Sequence, residues 1–289
     1  MAAPAHVAQI GFGEVGRIFS EGLRGKGVAH ISAYDPLLAQ SESVEVAPSA
    51  AQAAMGAGLV ISAVTAAQAM AAAQSVIGGL GQGAFFLDLN SASPGVKSAA
   101  ALAIDAAGGR YVEAAVMSSV PPKGLKTPML LGGPHARDFL EYAASLDLDA
   151  RVFADVVGPA SATKMCRSVM IKGVEALLAE CLLTARHYGV EGTVLDSLSD
   201  LLPHPDWRKQ AAYMISRSLV HGKRRAEEMR EVAVTVAEAG VEPLMSRSIA
   251  ERQDWAWKQA EKMAPGSADT TDLERQLDEL SRVSRHGDS

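Results

Sequence analysis

Apolar positions follow two rules along this chain, and the change falls near residue 158. Before it, short apolar runs at 7–10, 30–34, 58–64, 84–89, 110–117 and 128–131 alternate with helix-like stretches. That alternation predicts a mostly parallel, doubly wound sheet. The run from Met129 to Gly133 and the Val152-Phe153 pair extend it. After it, Pro159 suits a first helical position, and Met165, Val169, Val174, Leu177, Leu178 and Leu182 recur at helical spacing up to Gly189. The pattern predicts one helix of about 30 residues. Further helices are expected over 193–202, 207–222, 224–239 and 244–263, with a short helix and a frayed end beyond Pro265-Gly266.

The first apolar run leads into Gly11-Phe12-Gly13-Glu14-Val15-Gly16, a G-x-G-x-x-G turn opening a helical pattern at Val15, Ile18, Phe19 and Leu23. A strand turning sharply into a helix there leaves free N–H groups for a pyrophosphate. The second run ends on Asp35, where an acidic side chain takes the adenine ribose hydroxyls. Val64, Thr65 and Asn90, closing the next strands, complete the expected cofactor set. No Lys or Arg lies between Lys26 and Lys97, so neither that strand nor the next βα unit offers a 2′-phosphate a cation, and NAD is expected over NADP. The fold class is therefore α/β: a Rossmann domain over 1–157, then an all-α domain over 158–289, joined by the long helix.

Composition narrows the classes. Of the 289 residues 48% are hydrophobic and 21% charged, with net charge −6, which gives no general attraction to nucleic acid or acidic membranes. The charge-free stretch between Glu45 and Asp88 is broken by Gln52, Gln68, Gln74, Gln82, Pro48 and glycines, so buried strands and Ala-rich helices are expected there, not a membrane span. Cys166 and Cys181 fall on the long helix, about 22 Å apart at its rise per residue, beyond disulfide reach. The seven histidines suggest no metal pair. No signal peptide is evident, and a reduced cytoplasmic protein is expected. Lys223-Arg224-Arg225, followed by Glu227-Glu228, reads as one helix face.

Three clusters could carry chemistry. Asp88-Leu89-Asn90-Ser91-Ala92-Ser93-Pro94-Gly95 closes a strand and opens a helix, on the ligand side of a doubly wound sheet or as a plain N-cap with Pro following. Ser118-Ser119, before Pro121-Pro122-Lys123, can present donors to a carboxylate or be simply a loop. Gly158-Pro159-Ala160-Ser161-Ala162-Thr163-Lys164 sets an amine early in the long helix, with Ser168 and Lys172 at i+4 and i+8. Partial burial and the helix N-terminus both favour a neutral amine at Lys164. Trp207, Tyr213, Trp255 and Trp257 either line a pocket for a bulkier substrate or pack the helical half.

Taken in order, these motifs resemble the β-hydroxyacid dehydrogenase superfamily, which includes 3-hydroxyisobutyrate, tartronate semialdehyde and 6-phosphogluconate dehydrogenases. The resemblance runs over nearly the whole chain. Asp88 to Pro94 is similar to the family's Asp-x-Ser-Thr-x-x-Pro, Met117-Ser118-Ser119 to its Ser-Gly-Gly loop, and Gly158 to Ser168 to its Gly-x-Gly-x-x-x-Lys-x-x-Asn-Asn helix. Ala160 replaces a glycine, Arg167-Ser168 replaces the Asn pair, and Glu227-Glu228-Met229 stands near the family's Lys-Asp pair, which marks a divergent branch.

The resemblance implies hydride transfer between nicotinamide and the carbinol carbon of a small 3-hydroxy acid. Lys164 is then the general base and acid, Ser168 orients the same oxygen, and Ser91, Ser118, Ser119, Lys123 and Lys172 meet the substrate. An imine reductase or a non-catalytic NAD-binding protein on this fold is the alternative; Lys164 argues against the first, since those relatives carry Asp or Tyr there. A homodimer or higher homo-oligomer is expected, built through the helical half.

Overall fold

The computed structural model describes residues 4–201 and 206–285. By its contacts the chain divides into two compact units, Met1–Cys166 and Arg167–Ser289.

The first unit holds an eight-stranded sheet of β1 (His6–Ile10), β2 (His30–Tyr34), β3 (Glu45–Val46), β4 (Leu59–Ser62), β5 (Phe85–Asp88), β6 (Arg110–Val116), β7 (Met129–Gly132) and β8 (Ala150–Ala154). Their order is β3-β2-β1-β4-β5-β6-β7-β8, parallel throughout except between β6 and β7. The chain leaves β1 to one side and returns to β4 on the other, which puts the switch point between those two strands. In such sheets ligands bind outside the carboxyl ends of the strands at that point.

Both faces of the sheet are covered. Phe19, Leu23, Leu59, Ile61, Phe85, Leu87 and Phe139 fill one side. Ala8, Ile10, Val60, Phe86, Ile104 and Tyr111 fill the other, beneath α2 (Ala50–Ala54), α3 (Ala69–Val76) and α4 (Pro94–Ala106). The charge-free stretch supplies β4, β5 and two helices of this second layer: a Cβ on Gly79 would lie 1.8 Å from the Ala51 carbonyl, so only small residues permit that approach. The other helices of this unit are α1 (Glu14–Gly25) and α5 (Ala136–Ser145). The edge strand β3 was not foreseen, since two residues carry no periodicity.

The long helix α6 (Pro159–Tyr188) has the predicted 30 residues and stops before Gly189, whose φ of 70° suits glycine. It runs from the first unit into the second. There α7 (Glu191–Leu201), α8 (Trp207–Glu238), α9 (Leu244–Ala260) and α10 (Leu273–Arg285) share a core of Leu178, Leu182, Leu195, Ile215, Leu219, Leu277 and Leu280. Two predicted helices are one: α8 passes through Gly222 unbroken. A Cβ there would fall 2.5 Å from the Gln253 carbonyl on α9, so this glycine lets two helices approach and does not end one. Trp207 and Trp255 pack on this core, whereas Tyr213 is exposed.

Lys223-Arg224-Arg225 is not one face. Successive helical residues point about 100° apart, and the three divide accordingly. Lys223 lies over the Trp257 ring, Arg224 reaches Glu228, and Arg225 is buried against Glu175. Both cysteines are free and exposed on α6. Among the described residues no helix is long and apolar enough to cross a membrane, and no cluster of His, Cys, Asp and Glu is placed to hold a metal.

Candidate active site

The three glycines after β1 have three separate reasons. Gly11 has φ 85°, and a Cβ there would meet the Ala63 carbonyl at 2.4 Å. A Cβ on Gly16 would meet the Gly11 carbonyl at 2.2 Å, so the helix can lie down on the turn only without one. At Gly13, the N-cap of α1, nothing of the protein lies within 4 Å of the Cβ position. The packing of the fold does not require glycine at 13, and its absence of a side chain leaves room for a group approaching from outside. Phe12 N donates to Asp35 Oδ2 (2.8 Å) and Leu37 N to Oδ1 (2.9 Å), which fixes the carboxylate beside the turn. Glu14 is exposed and Val15 half-buried at the start of α1. These residues fit a dinucleotide.

Asn90 joins the ends of two strands. It is buried, with Oδ1 accepting from Val64 N (2.7 Å) and Nδ2 donating to Ser62 Oγ (2.9 Å), which ties the ends of β4 and β5 together. Thr65 stands exposed just beyond, its hydroxyl capping nothing in the helical turn it precedes.

Under this turn lies a network no local pattern announced. Asp88 is buried at the end of β5; Lys97 Nζ sits 2.9 Å from its Oδ1 and donates to its carbonyl, and Tyr111 Oη donates to Oδ2 at 2.7 Å. Burial, then the Asp88 carboxylate, holds the Tyr111 phenol well above its ordinary range, which keeps it a donor. Asp88 Oδ1 also accepts from Asn90 N. The turn that carries Ser91 is thereby anchored from below, and Ser93 caps α4 through Val96 N ahead of Pro94, so the N-cap reading holds for Ser93.

Ser91 meets the lysine. Lys164 Nζ donates to Ser91 Oγ at 2.6 Å across 73 residues of sequence, and both side chains are half-buried. The start of α6 is held by Glu113 of β6, completely buried, whose carboxylate accepts from Gly158 N and Ser161 N, each at 2.8 Å. Ser118 and Ser119 follow β6 on an accessible turn, with Lys123 exposed beyond the two prolines; among the described residues Lys123 bonds neither serine.

Within the second unit, Ser168 is buried and accepts from Lys172 Nζ at 3.3 Å. Lys172 is ion-paired with Glu228 at 2.5 Å, and Arg224 reaches the other Glu228 oxygen. The charge of Lys172 is thus balanced within the second unit. Burial raises the Glu175 carboxyl above its ordinary range despite Arg225. Tyr111, Glu113 and Glu175 carry no local motif, because their partners lie 23 to 50 residues away along the chain. The one available signal was a charged residue inside an otherwise apolar strand, as at Glu113.

Residues 185–256 match a domain of unknown function (DUF1932). A protein of Methanothermus fervidus described as an uncharacterized 28.5 kDa protein is 27% identical over 163 residues, 55% of this chain and 61% of that one. A Mycobacterium tuberculosis 3-hydroxyisobutyrate dehydrogenase shares the fold at 18% identity, with TM-score 0.67 over the full length of both chains. A conserved hypothetical protein of Sinorhizobium meliloti 1021 is 36% identical over 98% of this chain and 97% of its own, with TM-score 0.75. A conserved protein described as structurally similar to 3-hydroxyacid dehydrogenases is 32% identical over 89% of this chain and 98% of its own, with TM-score 0.66. The chain belongs to the β-hydroxyacid dehydrogenase superfamily, as a divergent member.

Proposed function

We propose that this protein is an NAD-dependent dehydrogenase of a small 3-hydroxy acid, with Lys164 as its general base and acid. The observation that carries the reading is the 2.6 Å bond from Lys164 Nζ to Ser91 Oγ. An amine held against an alcohol oxygen is placed as it would be against a substrate hydroxyl. When bound, the nicotinamide supplies the hydride acceptor or donor, and the chain supplies placement and proton handling.

In the oxidative direction the neutral Lys164 amine takes the hydroxyl proton as the carbinol carbon gives up its hydride. In reduction the ammonium returns a proton to the carbonyl oxygen. Ser91, Ser118 and Ser119 offer hydroxyl donors to the substrate carboxylate, and Lys123 adds charge to that loop. Gly13 leaves room for the pyrophosphate at the N-terminus of α1, and Asp35 takes the ribose hydroxyls. Asp35 would repel a 2′-phosphate, which favours NAD. Arg17, whose Nε donates to the Phe12 carbonyl at 3.1 Å, is a cation beside the same turn. NAD and NADP are therefore compared directly.

The test is dinucleotide reduction by the purified protein over a panel of small and aryl-bearing 3-hydroxy acids with each cofactor. Turnover with NAD and a hydroxy acid supports the reading. Tight NAD binding with no turnover on any acid or imine would move the protein to the non-catalytic class.

A further inference from the structure

We propose that Glu113 is a positioning residue for Lys164: it fixes where the lysine helix begins over the sheet, and so where the amine meets Ser91. This rests on the reading of Lys164 as the acid–base group. Where a side chain caps one of α2, α4 and α8, it belongs to the residue just before the helix. Ser49 caps α2, Ser93 caps α4 and Asp206 caps α8, each bonding an N–H three residues on. Such a local cap stabilises a helix end wherever that end lies. At α6 the residue before the first turn is Gly158, which has no side chain, and the acceptors come from a strand 45 residues earlier. A cap borrowed from the sheet ties the helix to a place.

The surroundings are shaped to this carboxylate. Gly132 lies opposite Glu113 in the β6–β7 pairing, and a Cβ there would sit 2.3 Å from Glu113 Oε2. Gly158 has φ 120°, a conformation open to glycine, and so turns its N–H to the same oxygen. Ser161 gives its N–H to Oε1 while its hydroxyl returns to the Gly158 carbonyl at 2.9 Å. Lys164 follows Ser161 by about one helical turn. Asp88 and Glu113 are also direct partners in the β5–β6 register. Asp88 anchors the Ser91 turn and Glu113 anchors the start of α6, so both members of the Lys164–Ser91 pair are mounted on adjacent residues of one rigid sheet. The reaction needs that rigidity: a displacement of about 1 Å can cost on the order of 10²-fold in rate.

The first readout needs no turnover. Limiting acetic anhydride is applied to the full-length protein, and Lys164 acetylation is measured by peptide mass spectrometry against exposed Lys123. We expect Glu113→Gln to raise relative labelling of Lys164 about threefold or more, by freeing the amine to leave Ser91. Ser49→Ala, which removes a cap elsewhere in the same unit, should leave it unchanged. Glu113→Asp keeps the charge but cannot span both N–H groups, and should raise labelling too; it decides the matter if the Gln variant does not fold. Unchanged labelling in a folded Glu113 variant overturns the proposal. The second readout is a double-mutant cycle on turnover. Glu113→Gln should lower kcat about 10- to 100-fold with little change in KM, but less than about twofold in a Lys164→Ala background. Equal losses in both backgrounds would mean that Glu113 only supports the fold. If no hydroxy acid is turned over, the functional reading fails and the labelling still decides the placement of Lys164.

Discussion

At the residue scale, the glycine turn makes its own prediction. A Cβ at residue 13 meets no protein atom within 4 Å, so Gly13→Val should cost far less thermal stability than Gly16→Val while abolishing NAD binding by calorimetry. Gly16→Val drives a side chain into the Gly11 carbonyl and should destabilise the first unit by about 2 kcal/mol or more in urea titration. Equal effects of the two on stability would contradict the separate roles given to these glycines. Residues of this kind were legible because each role is local: a turn, a cap, a spacing of three or four. Glu113, Lys97 and Tyr111 were not, because each finds its meaning through a partner on another strand or helix. The partners of Asn90 and Lys172, Val64 and Glu228, come from elements that sequence order does not bring together.

At the element scale, strand–helix alternation and the long apolar-periodic helix gave the architecture directly, down to the 30 residues of α6. The exceptions share a cause. A glycine inside a periodic pattern reads as a break, yet Gly222 sits within a continuous α8 because α9 lies against it. Gly222→Ala makes the case measurable. Helix propensity alone would stabilise the variant by up to about 1 kcal/mol, whereas contact with the Gln253 carbonyl should destabilise it by about 1–3 kcal/mol. A loss in the urea midpoint of the second unit is the expected result, and a gain would show that the helices separate without strain.

At the scale of the whole molecule, acid stability should depend on α8. Burial, then Arg217, Arg224 and Arg225, lowers the His221 ring to about 4, against 6.5 for a free histidine. The unfolded chain takes up that proton first, so stability is full above about pH 6.5 and falls as pH drops toward 4. Asp269 opposes the shift. His221→Gln should flatten the decline in urea midpoint over that window, and an unchanged slope would place the acid sensitivity elsewhere. We propose that the second unit also forms a homodimer, since Met170, Leu177, Val220, Val234, Leu244 and Met245 leave apolar surface exposed. Light scattering at micromolar concentration should give twice the chain mass; a monomer would refute this. The central claim is that Lys164 moves the substrate proton, and its most direct test is NAD reduction by wild type and Lys164→Ala on the best 3-hydroxy acid, with NAD affinity measured for both. The account predicts a loss of about 10²–10⁴-fold in kcat with affinity unchanged. Turnover within a few-fold of wild type in the alanine variant would contradict it.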